Sequence, residues 1–311
     1  VEHRPPKAAI LVVPAFVALI VTLFAWPSAR LEPRDLPIGV AGPGPAADAV
    51  EEQLGEQEGA FDIKRYADEE EARDAIEDRD VYGAFVVTAG GVTVLTASAA
   101  SHAVAQLLSH EASDEVVQDV VAAPRGAALA SSVLPLVLAG ILTGVVASLL
   151  AQSVPERLGL LIVMSLLCGL GANLIVQSWL DVVEDSWIAN AAVLSLTVLA
   201  IASFVAGALA LFGAPGALLA ALTMVLIGNP FSGVGSAPEL LPQPVGAIGQ
   251  LMPPGAGGNL LRSTGFFDGA AAGGHIAVLL AWTLVGLVAL TARSGRAASG
   301  AGSGPPRAHQ A

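Results

Sequence analysis

The sequence predicts an α-helical integral membrane protein with about six transmembrane helices and a small α/β extracytoplasmic domain between the first and second spans. Three observations carry that prediction. Of 311 residues, 54% are hydrophobic and only 13% are charged, where soluble domains are roughly a quarter charged. The charge is also confined. Between Arg30 and Gly126 stand twenty Asp/Glu and seven Lys/Arg, a net of −13 that equals the net charge of the whole chain. Outside that stretch the sequence is a series of apolar runs separated by short breaks. Regions so different in polarity belong in two different solvents.

A bilayer core needs about 20 apolar helical residues. Ala8–Trp26 supplies the first such run, behind His3, Arg4 and Lys7, with only seven residues before it. The apolar core of a signal peptide is about 7–15 residues and ends in a small-x-small site. This run is longer, and Trp26-Pro27-Ser28-Ala29-Arg30 makes a poor cleavage site.

The stretch that follows alternates strand and helix signals. Leu36–Ala41 reads as a short buried strand and Ala46–Gln57 as an amphipathic helix, with Ala46, Val50 and Leu54 on one face. Ala60–Tyr66 alternates as a half-buried strand. Asp68–Asp80 is a helix with acids in its first turn, which complements the helix dipole. Val81–Thr88 and Val92–Leu95 form a hairpin across Gly90-Gly91, and Ser101–Val121 reads as a long helix leading into the second span. The predicted order is β-α-β-α-β-β-α.

The later runs are Ala127–Ala151, Leu158–Leu180, Ile188–Phe212, a shorter Gly216–Ile227 and His275–Ala292. A charged turn at Val154–Arg157, an acidic turn at Asp181–Asp185 and the breaker Gly213-Ala214-Pro215-Gly216 separate them. The short run is either a span extended from Pro215 to Asn229 or a re-entrant segment. With six spans, Arg4, Lys7, Arg157, Arg293, Arg296 and Arg307 all fall on one side, the cytoplasmic one. Trp26, Trp179 and Trp187 fall at the outer ends, where amphipathic rings prefer the interface. The expected organisation is residues 1–29 as cytoplasmic N-terminus and first span, and 30–126 as the extracytoplasmic domain. Residues 127–293 then hold five further spans with an outer re-entrant-like segment at 229–274, and 294–311 form a disordered cytoplasmic tail rich in Gly, Ala, Ser and Pro. The setting is the plasma membrane, with both termini inside.

The acidic domain disfavours nucleic acid, whose phosphates need basic partners. The one cysteine, Cys168, permits neither an internal disulfide nor a cysteine metal site. His102 and His110 are too far apart along a helix for one metal, and Glu69-Glu70-Glu71 reads as a solvated face. The chain carries no HExxH, GxSxG or Walker A signature. No enzyme, metal or cofactor is expected.

Polar groups inside spans are costly and mark either function or helix contacts. Asn173 and Gln177, one helical turn apart, line a substrate path or bond a neighbouring helix. Gly140 and Gly144 form a GxxxG that suggests close helix contact, as in a dimer. No acidic or basic residue sits in the middle of a span, which argues against ion coupling. The proline- and glycine-rich segment Asn229–Gly274 carries few charges and is expected to pack against the outer leaflet, with short helices near Ser236–Leu241 and Ala256–Ser263. Within it, Met252–Arg262 is either a structural cap or the candidate gate over a central path, with Pro253, Pro254, Asn259 and Arg262 as its marked residues. Arg262 would pair with Asp268 or anchor lipid headgroups.

A first span, a strand like Leu36–Ala41, Phe61-Asp62-Ile63 and the stretch Ala67–Val87 ending in Tyr82-Gly83-Ala84-Phe85 together resemble the type 2 ABC-exporter permease family, its phage-infection-protein branch in particular. The resemblance covers most of the chain as architecture and about a tenth of it as motif. It implies a permease subunit that pairs as a homodimer or hetero-oligomer in the lipid bilayer and works with a separate ATPase. The inner turn Gln152–Gly159 is shorter than the coupling segment usual there. Two functions therefore stand. One is a permease subunit of an ABC-type exporter, moving a hydrophobic or amphipathic compound outward. The other is a non-transporting scaffold or receptor whose acidic outer domain binds an envelope partner.

Overall fold

The structure, a computed structural model, describes residues 7–112 and 116–301. Helix α1 (Lys7–Ser28) leads into a mixed five-stranded sheet. Strand β1 (Leu36–Ala41) is followed by α2 (Gly44–Gly55), β2 (Phe61–Tyr66), α3 (Glu69–Glu77) and β3 (Gly83–Thr88). β1 pairs in parallel with both β2 and β3, so each helix is a crossover between parallel strands. β3 turns into antiparallel β4 (Gly91–Thr96), then come α4 (His102–Glu111) and β5 (Val116–Asp119), which adds in parallel to β4 at the edge. The sheet order is β2-β1-β3-β4-β5.

Local chemistry sets these ends. The Asp68 side chain caps α3 by accepting from the Glu71 amide at 3.1 Å, and the Glu71 carboxylate reaches back to the Ala67 amide at 2.7 Å. This reciprocal pair satisfies donors left open at a helix start. Ser101 does the same for α4 through the Val104 amide. The period of two along the strands fills both sides of the sheet. Leu36, Ile38, Val40, Phe85 and Val87 face one core. Ala41, Ala84, Val86 and Leu95 face the other.

Here the expected helix Ser101–Val121 is corrected. It stops at Glu111, and Val116–Asp119 is a strand. Val116 and Val117 are β-branched and find open ladder groups on β4, which outweigh a continued helix.

A single 3-10 turn (Gly126–Ala128) opens α5 (Leu129–Leu150). Helix α6 (Val154–Asn173) continues as a π-helical turn through Trp179, and α7 spans Trp187–Phe212. Helix α8 (Ala214–Thr223) likewise ends in a π-helical turn, Met224–Gly228. A 3-10 turn at Pro238–Leu240, α9 (Val245–Gln250), α10 (Pro253–Phe266) and α11 (Ala272–Ala301) complete the described residues. Among the described residues, five helices are long and apolar enough to cross a membrane, at Leu11–Ser28, Gly126–Leu150, Val154–Trp179, Trp187–Phe212 and Ala272–Ala292. Ala214–Gly228 is a shorter apolar helix.

α7 is the hub: 67% of its span is buried, against 6% for α1, whose main contact is the π-helical end of α8. Small residues make that centre possible. A Cβ at Gly144 would stand 2.5 Å from the Ala202 carbonyl oxygen, and one at Gly140 would stand 2.7 Å from the Ile201 Cβ. The GxxxG of α5 is thus spent inside the chain, against α7, rather than on a second copy.

Two further expectations change. Val154–Arg157 is not a turn: Ser153 caps α6, Pro155 sits in its first turn, and Glu156 accepts from the Gln152 amide. The connection is only 151–153. At the other end, the backbone stays helical to Ala301 where a disordered tail from 294 was expected, and 302–311 lie outside the described residues.

Candidate functional site

The 229–274 segment forms a platform between the sheet and the bundle. α10 is closed in on nearly every side, with Pro253, Pro254, Ala256, Asn259, Leu260 and Arg262 all buried. Glycines let it approach α7: a Cβ at Gly257 would fall 2.4 Å from the Thr197 hydroxyl oxygen. The α/β domain grips this platform at several places. Main-chain amides of Glu32 and Arg34 donate to the carbonyls of Leu240 and Glu239, at 3.1 and 3.0 Å. The Ser101 hydroxyl donates to the Ser236 carbonyl at 2.5 Å. Arg79 donates through Nη1 to the Asn259 carbonyl at 3.0 Å and to the Ser263 hydroxyl at 2.5 Å, with its guanidinium 5.3 Å from the Phe267 ring centre.

Arg79 has a φ of 64° just past the end of α3. That left-handed slot usually holds glycine, and a long side chain there is worth a functional explanation. Burial lowers the Arg79 guanidinium from its ordinary value, while Tyr82 and Glu239 oppose the shift. Burial, and after it the nearby Glu239 carboxylate, pushes the Tyr82 hydroxyl far up; that hydroxyl donates to Glu239 Oε2 at 2.9 Å. Arg262 is 5% exposed, and its pKa is lowered to about 10, chiefly by burial. It donates to the Val234 carbonyl and, at 3.4 Å, to Asn259 Oδ1. It therefore neither pairs with Asp268 nor reaches lipid: its partners are the backbone and amide of its own platform. Asn259 in turn donates to Gln250 Oε1 at 2.6 Å.

Asn173 and Gln177 sit elsewhere, at the top of the α6–α7 hairpin. The Asn173 amide donates to Gln177 Oε1 at 3.2 Å and to the Trp187 carbonyl at 3.0 Å. Asn190 joins them, donating to Gln177 Oε1 at 3.1 Å and accepting from the Thr264 hydroxyl of α10 at 2.7 Å. These amides bind helix to helix and to the acidic turn. Pro253 and Pro254 begin α10 and lie away from this cluster, so the six marked residues divide between two sites, bridged through α10.

Two features went unmarked in the sequence. One is Arg79, whose only signal is arginine where a helix should end in glycine. The other is a groove of about 350 Å³ between α5 and α6, lined by Pro135, Leu136, Cys168, Ala172, Ile175 and Val176, with Ser131 and Ser132 at its polar end.

Apolar helices gathered on α7, with an α/β domain seated on a broken helical platform, define a multi-pass membrane protein. Residues 8–123 match the family model described as "ABC-2 family transporter protein". That stretch holds the first span and the α/β domain, and the match supports the type 2 ABC permease family. No curated protein and no solved structure matches.

Proposed function

We propose that this chain is a permease subunit of an ABC-type exporter that moves a hydrophobic or amphipathic compound outward, paired in the plasma membrane with a second copy or a related subunit and driven by a separate ATPase. The observation that carries the reading is the α5–α6 groove. Its volume of about 350 Å³ falls within the range of small-molecule sites, roughly 300–1,000 Å³. Its lining is apolar except for Ser131 and Ser132, and Leu134, Leu138 and Leu142 on the neighbouring face of α5 are exposed as lipid contacts would be. An amphipathic compound dissolved in the bilayer meets such a groove from the side. Counting Ala214–Gly228 as a sixth crossing keeps the basic residues on the cytoplasmic side and the α/β domain outside.

Cys168 is the chain's one cysteine and lines the groove, so it is a built-in probe. Lipophilic compounds that are substrates should slow maleimide labelling of Cys168 in membrane vesicles, and deleting the gene should raise cellular sensitivity to the same compounds. Unchanged labelling with every compound, together with unchanged export on deletion, refutes the proposal.

The short 151–153 connection favours a second reading, a scaffold or receptor, because it offers an ATPase little to hold. Purification in mild detergent separates the two: an ATPase that comes with the chain supports transport, and an envelope protein without one supports the scaffold.

A further inference from the structure

A cavity of about 200 Å³ lies between the sheet and the platform, where Arg79, Tyr82, Glu239, Gln250, Asn259 and His275 meet. Its charge is not balanced. The ion pairs among the described residues involve Arg34, Arg65, Arg73 and Arg125, and neither Arg79 nor Arg262 is in one of them. Both arginines donate only to neutral oxygens. The acid at the cavity is Glu239, held by the Tyr82 hydroxyl. Arg79 lines the cavity with Glu239, and the buried Arg262 lies just outside its lining behind Asn259; together two guanidinium groups stand against one carboxylate, an excess of one positive charge in a part-buried place, and buried charge is costly unless paired.

The geometry of Arg79 leaves room for the missing partner. Its described hydrogen bonds use Nη1 twice and Nη2 once, and none comes from Nε. The Nε–Nη2 edge of a guanidinium is a fork that fits two oxygens of a carboxylate or phosphate. The backbone of Arg79 is held in the left-handed region to put it there. The cavity also lies at the level of a span end, since His275 is in the first turns of α11, where the apolar stretch 272–292 begins. The ends of a spanning helix lie near the headgroup region, where lipid phosphates are found.

We propose that this cavity binds a singly charged phosphate group, with Arg79 as the fork and Arg262 supporting it from behind Asn259. A phosphodiester headgroup and a monovalent phosphate ion share that chemistry. One negative charge matches the excess of one.

The test uses the full chain in mild detergent, titrated with short-chain phosphatidylglycerol and, separately, with inorganic phosphate; an alkyl glucoside of the same chain length serves as the uncharged control. Binding that saturates with either phosphate probe and not with the glucoside is expected; lipid alone identifies a headgroup site, and phosphate alone an ion site. Arg79→Gln should weaken binding by about tenfold, the scale of a lost charge-assisted pair. Glu239→Gln keeps an acceptor for Tyr82 and removes the opposing charge, so it should tighten binding. A merely structural pair would never tighten. If Arg79→Gln does not fold, Glu239→Gln decides alone. Saturation by neither probe, or Glu239→Gln binding no tighter than the parent, overturns the proposal.

Discussion

Gly207 on α7 and Gly286 on α11 meet backbone to backbone: a Cβ at Gly207 would stand 2.5 Å from the Gly286 carbonyl oxygen and 3.0 Å from the Ala289 Cβ. Such closeness is how helices gain dispersion contact where no hydrophobic effect drives them together. Gly207→Val should cost about 1–3 kcal/mol by overpacking, read as a lowered thermal midpoint in detergent. Gly159→Ala on α6 is the control, because nothing lies within 4 Å of its Cβ position. It should be neutral or gain roughly 0.5–1 kcal/mol, the usual glycine penalty in a helix.

The chain has two tyrosines. Tyr66 is raised by burial and by Asp80, Glu71 and Asp62, and Tyr82 is raised further by burial and Glu239. A raised pKa means the folded state holds the proton more tightly than the unfolded chain. The contribution is therefore whole below about pH 10, the unfolded value, and lost as pH rises toward the folded one. In Tyr66→Phe, ultraviolet titration should show no ionisation near pH 10 until the protein unfolds. A reversible step there in folded protein would show Tyr82 open to solvent.

Asn190 is fully buried and ties three partners: Gln177, the Glu184 carbonyl and Thr264. Asn190→Ala should cost about 1–3 kcal/mol for the groups it strands. Thr264→Val should cost less. The double mutant should fall short of the sum by about 0.5 kcal/mol or more, the mark of a direct contact.

Asp68→Ala removes the cap of α3 and should cost about 1 kcal/mol, while Asp68→Asn should keep most of it. Thermal unfolding followed by far-ultraviolet circular dichroism measures both.

Much of this architecture was legible. The long apolar runs placed the helices up to α8 to within about four residues, since a 20-residue stretch without charge has few other uses, whereas α11 runs on past the predicted Ala292 to Ala301. Strands β1 to β4 were visible through β-branched residues and the Gly90-Gly91 turn. β5 was not, because Val116–Asp119 is short and exposed along its length, and its identity comes from the free edge of β4. The site was half legible. Asn173, Gln177, Asn259 and Arg262 stand out as polar groups among apolar ones. Their partners do not, because Arg79 and Asn259 are brought together only by the docking of the domain, a contact between distant parts of the chain. The Gly140–Gly144 spacing shows the same limit: it announces a close neighbour without saying which.

The grip of the α/β domain on the platform has an energetic consequence. Leu240 and Ala237 belong to the same apolar core as Leu36 and Phe85, and Phe267 to that of Ile76 and Val86. Sheet and platform thus open as one cooperative unit, with a shared free energy of exposure. Backbone amides of β1, β3 and the start of α10 should exchange with deuterium at a common rate, slower than those of the edge strand β5.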